Sequence, residues 1–317
     1  MIIEFICRII GVKERGNNMK LFVQYAWHVD IVFHVLTHMK VDNASNLFNA
    51  EYVENIRKEK ERQGITDTLL NQVENITDYY IKHFDRLAVI NFVPFITYSL
   101  GELSEKLLSM PYFTDGDKAS FINPFMDILE EEKTFYQAYW YEQNERIGDR
   151  KAVVEAWLGD RLGTFKCIFD YYKQQYNKEV RLFLSYSMGQ NGRGVDQNDN
   201  HLVAIPFPLE ESETTNSFFM TLHELTHPCT EDLVGSNISM EDGSHALTEN
   251  VVMLADYYLI KAVQPVLVED YFKWICTKCG QPDVHIDEGI LREIFSIPQV
   301  LEDKLKTRIR EIVKNNS

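Results

Sequence analysis

Two histidines four residues apart, with a glutamate directly after the first, stand inside an apolar run, Asn216-Ser-Phe-Phe-Met-Thr-Leu-His-Glu-Leu-Thr-His227. The run has helical periodicity. Phe218, Leu222 and Leu225 make one stripe, and Phe219, His223 and His227 make another. A helix apolar on two sides belongs in the middle of a fold. Residues four apart stand one above the other on a helix. Two buried imidazoles placed that way need a partner, and one zinc ion held by both neutral nitrogens supplies it. Glu224 is turned about 100° from His223, to the flank of the metal. That is the place of a general base for a metal-bound water. Thr214, Thr215 or Asn216 suits the start of the helix as a cap. Pro228 has no N–H and disfavours helix at the residue before it, so the spacing predicts an end near His227.

A catalytic zinc commonly takes three protein ligands and leaves one position open. After His227 comes a loop-like, polar stretch to His245, and then Ala246–Ile260, which reads as a second helix, apolar on nearly all sides and therefore buried. Glu249 shares a face with Val252, Met253 and Asp256. A carboxylate facing inward on a buried helix is expensive without a partner, which makes Glu249 the expected third ligand. A first-turn acid also suits the helix dipole. Glu241, Asp242 and His245 are the other acids and imidazole within reach. A third histidine six residues after His227 is excluded, because that position is Leu233.

These residues resemble the gluzincins, metallopeptidases whose third zinc ligand is a glutamate on the helix after the His-Glu-x-x-His helix. His-Glu-Leu-Thr-His at 223–227 has the thermolysin-like form, and Glu249-Asn250 is similar to the glutamate helix of neprilysin-like enzymes. The resemblance covers roughly 216–260. It implies a zincin-like core with zinc on His223, His227 and Glu249, and a sheet edge before the metal helix that pairs with an extended peptide. One position departs. Many gluzincins carry an Asp one turn after the zinc glutamate to orient the first histidine, and here that residue is Met253, with Asp256 one turn further on. No transition-state donor is singled out among His245, Tyr257, Tyr258, Tyr271 and His285.

The chain has 317 residues, enough for one large domain or two, and its 45% hydrophobic content supports a sizeable core. A net charge of −16 argues against nucleic acid and against an anionic membrane surface as partners. No apolar stretch has membrane-spanning length. Ile2–Val12 is apolar but carries Glu4 and Arg8 and has no cleavage-site pattern, so it reads as a short extra strand or an extension, with Met19 an alternative start. A cytoplasmic location is the expectation. Five cysteines make no disulfide framework. Cys7, Cys167 and Cys229 read as isolated thiols. Cys276 and Cys279 form a lone CxxC pair that, even with His285, lacks a fourth zinc ligand nearby.

The remaining pattern is a mostly helical α+β protein with a small sheet beside the metal helix. An extension over 1–18 precedes a mainly helical region, 19–177, and a zincin-like metal-binding core, 178–317. Strands are expected at Met19–His28, Glu179–Tyr186 and His201–Phe207, with Pro206 suited to an edge. Helices are expected at Asp30–Met39, 48–62, 66–82, 86–108, 119–145, 151–176 and, as one or two pieces, Ile290–Val313. Ser187–Asn200 reads as a Gly/Asn/Asp-rich loop without the Lys-Ser/Thr of a phosphate loop. The aromatic stripe Phe135, Tyr136, Tyr139, Trp140 and Tyr141 reads as core. Asp30, His34 and His38 share a helical face and form a rival, weaker metal set that has no glutamate base.

The expected function is zinc-dependent hydrolysis of a peptide or protein substrate by a metal-activated water, with Glu224 as general base. Two other classes fit the same residues. One is a zinc amidohydrolase acting on a non-peptide amide, and the other is a protein that keeps the metal for a binding or structural role. Nothing in the sequence sets an oligomeric state.

Overall fold

The computed structural model describes residues 6–12, 19–41, 46–189, 191–235 and 244–314. Its strands are β1 (Ile6–Val12), β2 (Met19–Tyr25), β3 (Glu179–Ser185), β4 (Arg193–Gln197) and β5 (Asn200–Pro206). They form one mixed sheet in the order β1-β2-β3-β5-β4. The chain is thus mostly helical with a small sheet, an α+β protein. β2 lies parallel to β3, with Phe22 opposite Arg181, and β3 parallel to β5, with Leu182 opposite Val203. The apolar runs of β3 and β5 are buried on both faces, as central parallel strands are. The extra strand expected near the N-terminus is β1, antiparallel to β2. One sheet therefore takes strands from both sides of residue 178.

The helices of the first half are α1 (Trp27–His38), α2 (Ala50–Arg62), α3 (Leu69–Lys82), α4 (Leu100–Ser109), α5 (Asn123–Arg146), α6 (Gly148–Gly163) and α7 (Lys166–Tyr171). Those of the second half are α8 (Glu211–Gly235), α9 (Ser244–Val263), α10 (Val268–Lys278), α11 (Glu288–Ile294) and α12 (Gln299–Lys314). Several boundaries differ from the periodicity. α1 begins at Trp27, inside the stretch expected as strand. The expected helix over 86–108 is broken: Val93–Ile96 is a tight turn carrying Pro94, and Thr97 is extended. Pro94 lacks the donor that a continuous helix needs there, and Ser99 starts α4 anew by accepting from the Glu102 N–H. The stretch 151–176 divides at Thr164–Phe165 between α6 and α7.

The largest departure is α8. It starts at Glu211 rather than at a cap among residues 214–216, and it runs through Pro228 to Gly235. Pro228 removes the N–H that would serve the Glu224 carbonyl one turn back. A side chain from outside meets the orphaned group: His201 Nε2 lies 3.3 Å from the Glu224 carbonyl. The helix therefore continues across Pro228 with a tertiary contact at the carbonyl that lost its backbone donor.

The rival set on α1 is structural. Asp30, His34 and His38 are all buried. Asp30 accepts from the hydroxyls of Ser185 and Ser187 and from the Tyr186 N–H, which ties α1 to the end of β3. His34 meets the Tyr52 hydroxyl at 2.9 Å and Glu132 at 3.4 Å, and His38 Nδ1 meets the His34 carbonyl at 2.7 Å. Of the aromatic stripe on α5, Phe135, Tyr136 and Trp140 are buried in the core, and Tyr141 is exposed.

Candidate metal centre

His223 and His227 stand on consecutive turns of α8, as their spacing requires, with their Nε2 atoms 3.2 Å apart. Glu249, in the first turns of α9, meets both histidines with its two oxygens. Its Oε2 lies 3.3 Å from His223 Nε2 and its Oε1 lies 3.5 Å from His227 Nε2. Among the described residues this is the one group of three or more His, Cys, Asp or Glu side chains able to hold a metal ion. The spacing suits a tetrahedrally held metal ion: ligands bonded at about 2.05 Å along tetrahedral directions lie about 3.3 Å apart. Cys276 is buried and Cys279 exposed as free thiols, and they join no such group. Glu241 and Asp242 lie outside the described residues, as does the side chain of His245.

Asp256 completes the set. It is fully buried two turns after Glu249, and His223 Nδ1 donates to its Oδ2 at 3.0 Å. A carboxylate on Nδ1 fixes the tautomer and leaves the Nε2 lone pair for a metal. The orienting acid thus comes from Asp256 and not from the Met253 position, because seven residues bring a helix back to nearly the same face. Asp256→Ala is expected to weaken zinc binding about 10–100-fold, read by competition with a chromogenic chelator. α9 is not buried throughout. Residues 251–260 are, but Glu249 is part-exposed where the helix reaches the cleft.

Without a metal the three side chains titrate far apart. Burial pushes His223 down, yet the hydrogen bonds to Asp256 and Glu249 outweigh it and hold it up at about 9. Burial and the neighbouring His223 hold His227 down at about 4. Burial opposes ionisation of Glu249, but His223 beside it brings it down to about 2. Zinc must displace the proton on His223, so metal uptake at pH 7 is expected to release about one proton, measurable by calorimetry in buffers of different ionisation enthalpy.

The centre opens into a cleft of about 760 Å³ lined by both histidines, Glu224, Glu249, Trp274, Lys278 and the strand β4. β4, placed in sequence within an expected loop, is the free edge of the sheet beside α8. β5, the strand expected at that edge, is paired on both sides, and its Pro206 sits at its end. The missed signal is Asn198-Asp199, a two-residue turn in which Asn198 takes φ 47°, the geometry of a hairpin. Gly192 and Gly194 bring the β4 backbone onto Glu224. A Cβ at Gly192 would lie 2.8 Å from Glu224 Cγ and Oε1, and one at Gly194 would lie 3.1 Å from Oε2. Arg193 between them is buried, donating from Nε to Asn91 Oδ1 at 3.2 Å and from Nη1 to the Gly192 carbonyl at 2.7 Å. Burial lowers its guanidinium from the usual range, against the attraction of Glu224 and Glu249.

Of the donors weighed in the sequence, those whose side chains are described lie elsewhere. Tyr257 donates to Glu288, Tyr258 to Glu302 and Tyr271 to the Met253 carbonyl, and His285 is exposed; none lines the cleft. The cations that do line it are Arg193 and Lys278. No protein-family description matches the chain, and no curated protein or solved structure is similar to it. No helix among the described residues is long and apolar enough to cross a membrane.

Proposed function

We propose that the chain is a zinc-dependent metallopeptidase with a zincin-like core of the gluzincin type, in which His223, His227 and Glu249 hold the metal. The observation that carries this is the cluster of three donors, the histidine Nε2 atoms 3.2 Å apart and each within 3.5 Å of one Glu249 oxygen, opening into the same cleft as Glu224. Zinc there would supply Lewis-acid polarisation of a carbonyl and lower the pKa of a water. Glu224 would take a proton from that water and return it to the leaving amine. Arg193 offsets the charge that Glu224 and Glu249 bring into the cleft. The outer edge of β4 offers main-chain N–H and C=O groups to an extended peptide, which favours a peptide substrate over a small amide.

The test is incubation of the zinc-loaded protein with a broad peptide library, with and without a chelator. Cleavage that stops on chelation and returns with zinc supports the reading, whereas an intact library in the presence of bound zinc sinks it. Gly192→Ala supplies a second check. The added Cβ pushes Glu224 away without touching a ligand, so turnover is expected to fall about 10²-fold with zinc content unchanged.

A further inference from the structure

We propose that His201 is a positioning residue for Glu224, standing in for the backbone donor that Pro228 removes and so holding Glu224 against the metal centre. This rests on the metal-centre reading above. The Glu224 carbonyl lies one turn before Pro228, which has no N–H to give it. His201 Nε2 occupies that vacancy at 3.3 Å. On its other side, His201 Nδ1 meets Asp196 Oδ1 at 2.8 Å, and Asp196 is itself paired with Lys178 at 2.6 Å. Both ring nitrogens face acceptors, so the ring is held from both sides.

The placement follows from the hairpin. Asp196 and His201 are directly opposite across β4 and β5, so their side chains share the sheet face towards α8. Tyr172 packs against the ring with centroids 5.1 Å apart, and His201 is 2% exposed. Gly194 keeps the space open: a Cβ there would lie 3.3 Å from His201 Nε2 and 3.1 Å from Glu224 Oε2. One glycine therefore sits against both the bracing ring and the carboxylate it braces. A peptide unit displaced at residue 224 moves the side chain that it carries, so the hydrogen bond acts on Glu224 without touching substrate.

The experiment uses the full chain loaded with cobalt(II) and reads the pH midpoint of its visible absorption, which responds to Glu224 beside the metal and needs no turnover. Glu224→Gln sets the direction of the shift. His201→Leu is expected to move the midpoint the same way by about half a pH unit. Pro228→Ala restores a backbone N–H to the Glu224 carbonyl. In that background His201→Leu is expected to lose most of its effect, which a packing role against Tyr172 would not predict. If His201→Leu does not fold, Asp196→Asn, at a half-exposed position, is read in both backgrounds instead. A shift of equal size with and without Pro228→Ala, or no shift where Glu224→Gln gives one, overturns the proposal for His201 and leaves the metal centre standing. Failure of the wild-type chain to take up cobalt, or an unmoved midpoint in Glu224→Gln, overturns the metal-centre reading and the role of His201 with it.

Discussion

Zinc-loaded protein carrying Glu224→Gln is expected to keep its metal and its fold and to lose peptide hydrolysis by about 10²–10⁴-fold. Glutamine has nearly the shape of glutamate, so it still fits beneath Gly192 and Gly194, where there is no room for an added carbon. What it lacks is the ability to take a proton. The ligands are untouched, since the donor atoms belong to His223, His227 and Glu249, which the substitution leaves in place. The check is turnover of one peptide found in the library screen, by wild type and variant, with metal content measured in both. Equal rates would remove Glu224 from the chemistry, and a loss of zinc in the variant would mean that its role is structural.

His223→Ala and His227→Ala are each expected to abolish stoichiometric zinc binding. Each removes one of three ligands, and the remaining pair cannot hold a tetrahedral ion against water. The two variants should differ in stability. His227 is part-exposed, and its removal leaves the His223–Asp256 hydrogen bond in place. His223→Ala leaves the fully buried Asp256 carboxylate without its partner, a cost of about 1–3 kcal/mol beyond the lost metal. Metal itself stabilises by mass action, about 2.7 kcal/mol at one hundred times its Kd, so chelation should lower the Tm of wild type and leave that of both variants unmoved. Metal analysis after gel filtration, together with thermal melts in zinc and in chelator, reads all of this. Unchanged zinc content in both variants would refute the assignment of the centre.

The parts of the site that were legible in the sequence are those set by one helix at a time. Residues four apart share a face on any α-helix, so His223 and His227 pair by local geometry alone, and a glutamate next to the first must point to the flank. The same periodicity placed Glu249 and Asp256 on one face of α9, and short apolar runs marked β3 and β5. The core reading of Phe135, Tyr136 and Trp140 follows from the same rule.

Tertiary structure decided whatever depends on partners far along the chain. Pro228 ends an isolated helix, but α8 continues with His201, from another element, at the carbonyl that the backbone leaves unserved. Whether Asp256 or a nearer residue would orient His223 depended on how α9 crosses α8, which no periodicity encodes. β4 is a strand only because its backbone pairs with β5; its Arg-Gly-Val-Asp-Gln sequence carries little strand propensity of its own. Arg193 and Lys278 enter the cleft from a strand and a helix that are distant in sequence from the motif. Local sequence determines which side chains share a face, and packing determines what that face meets.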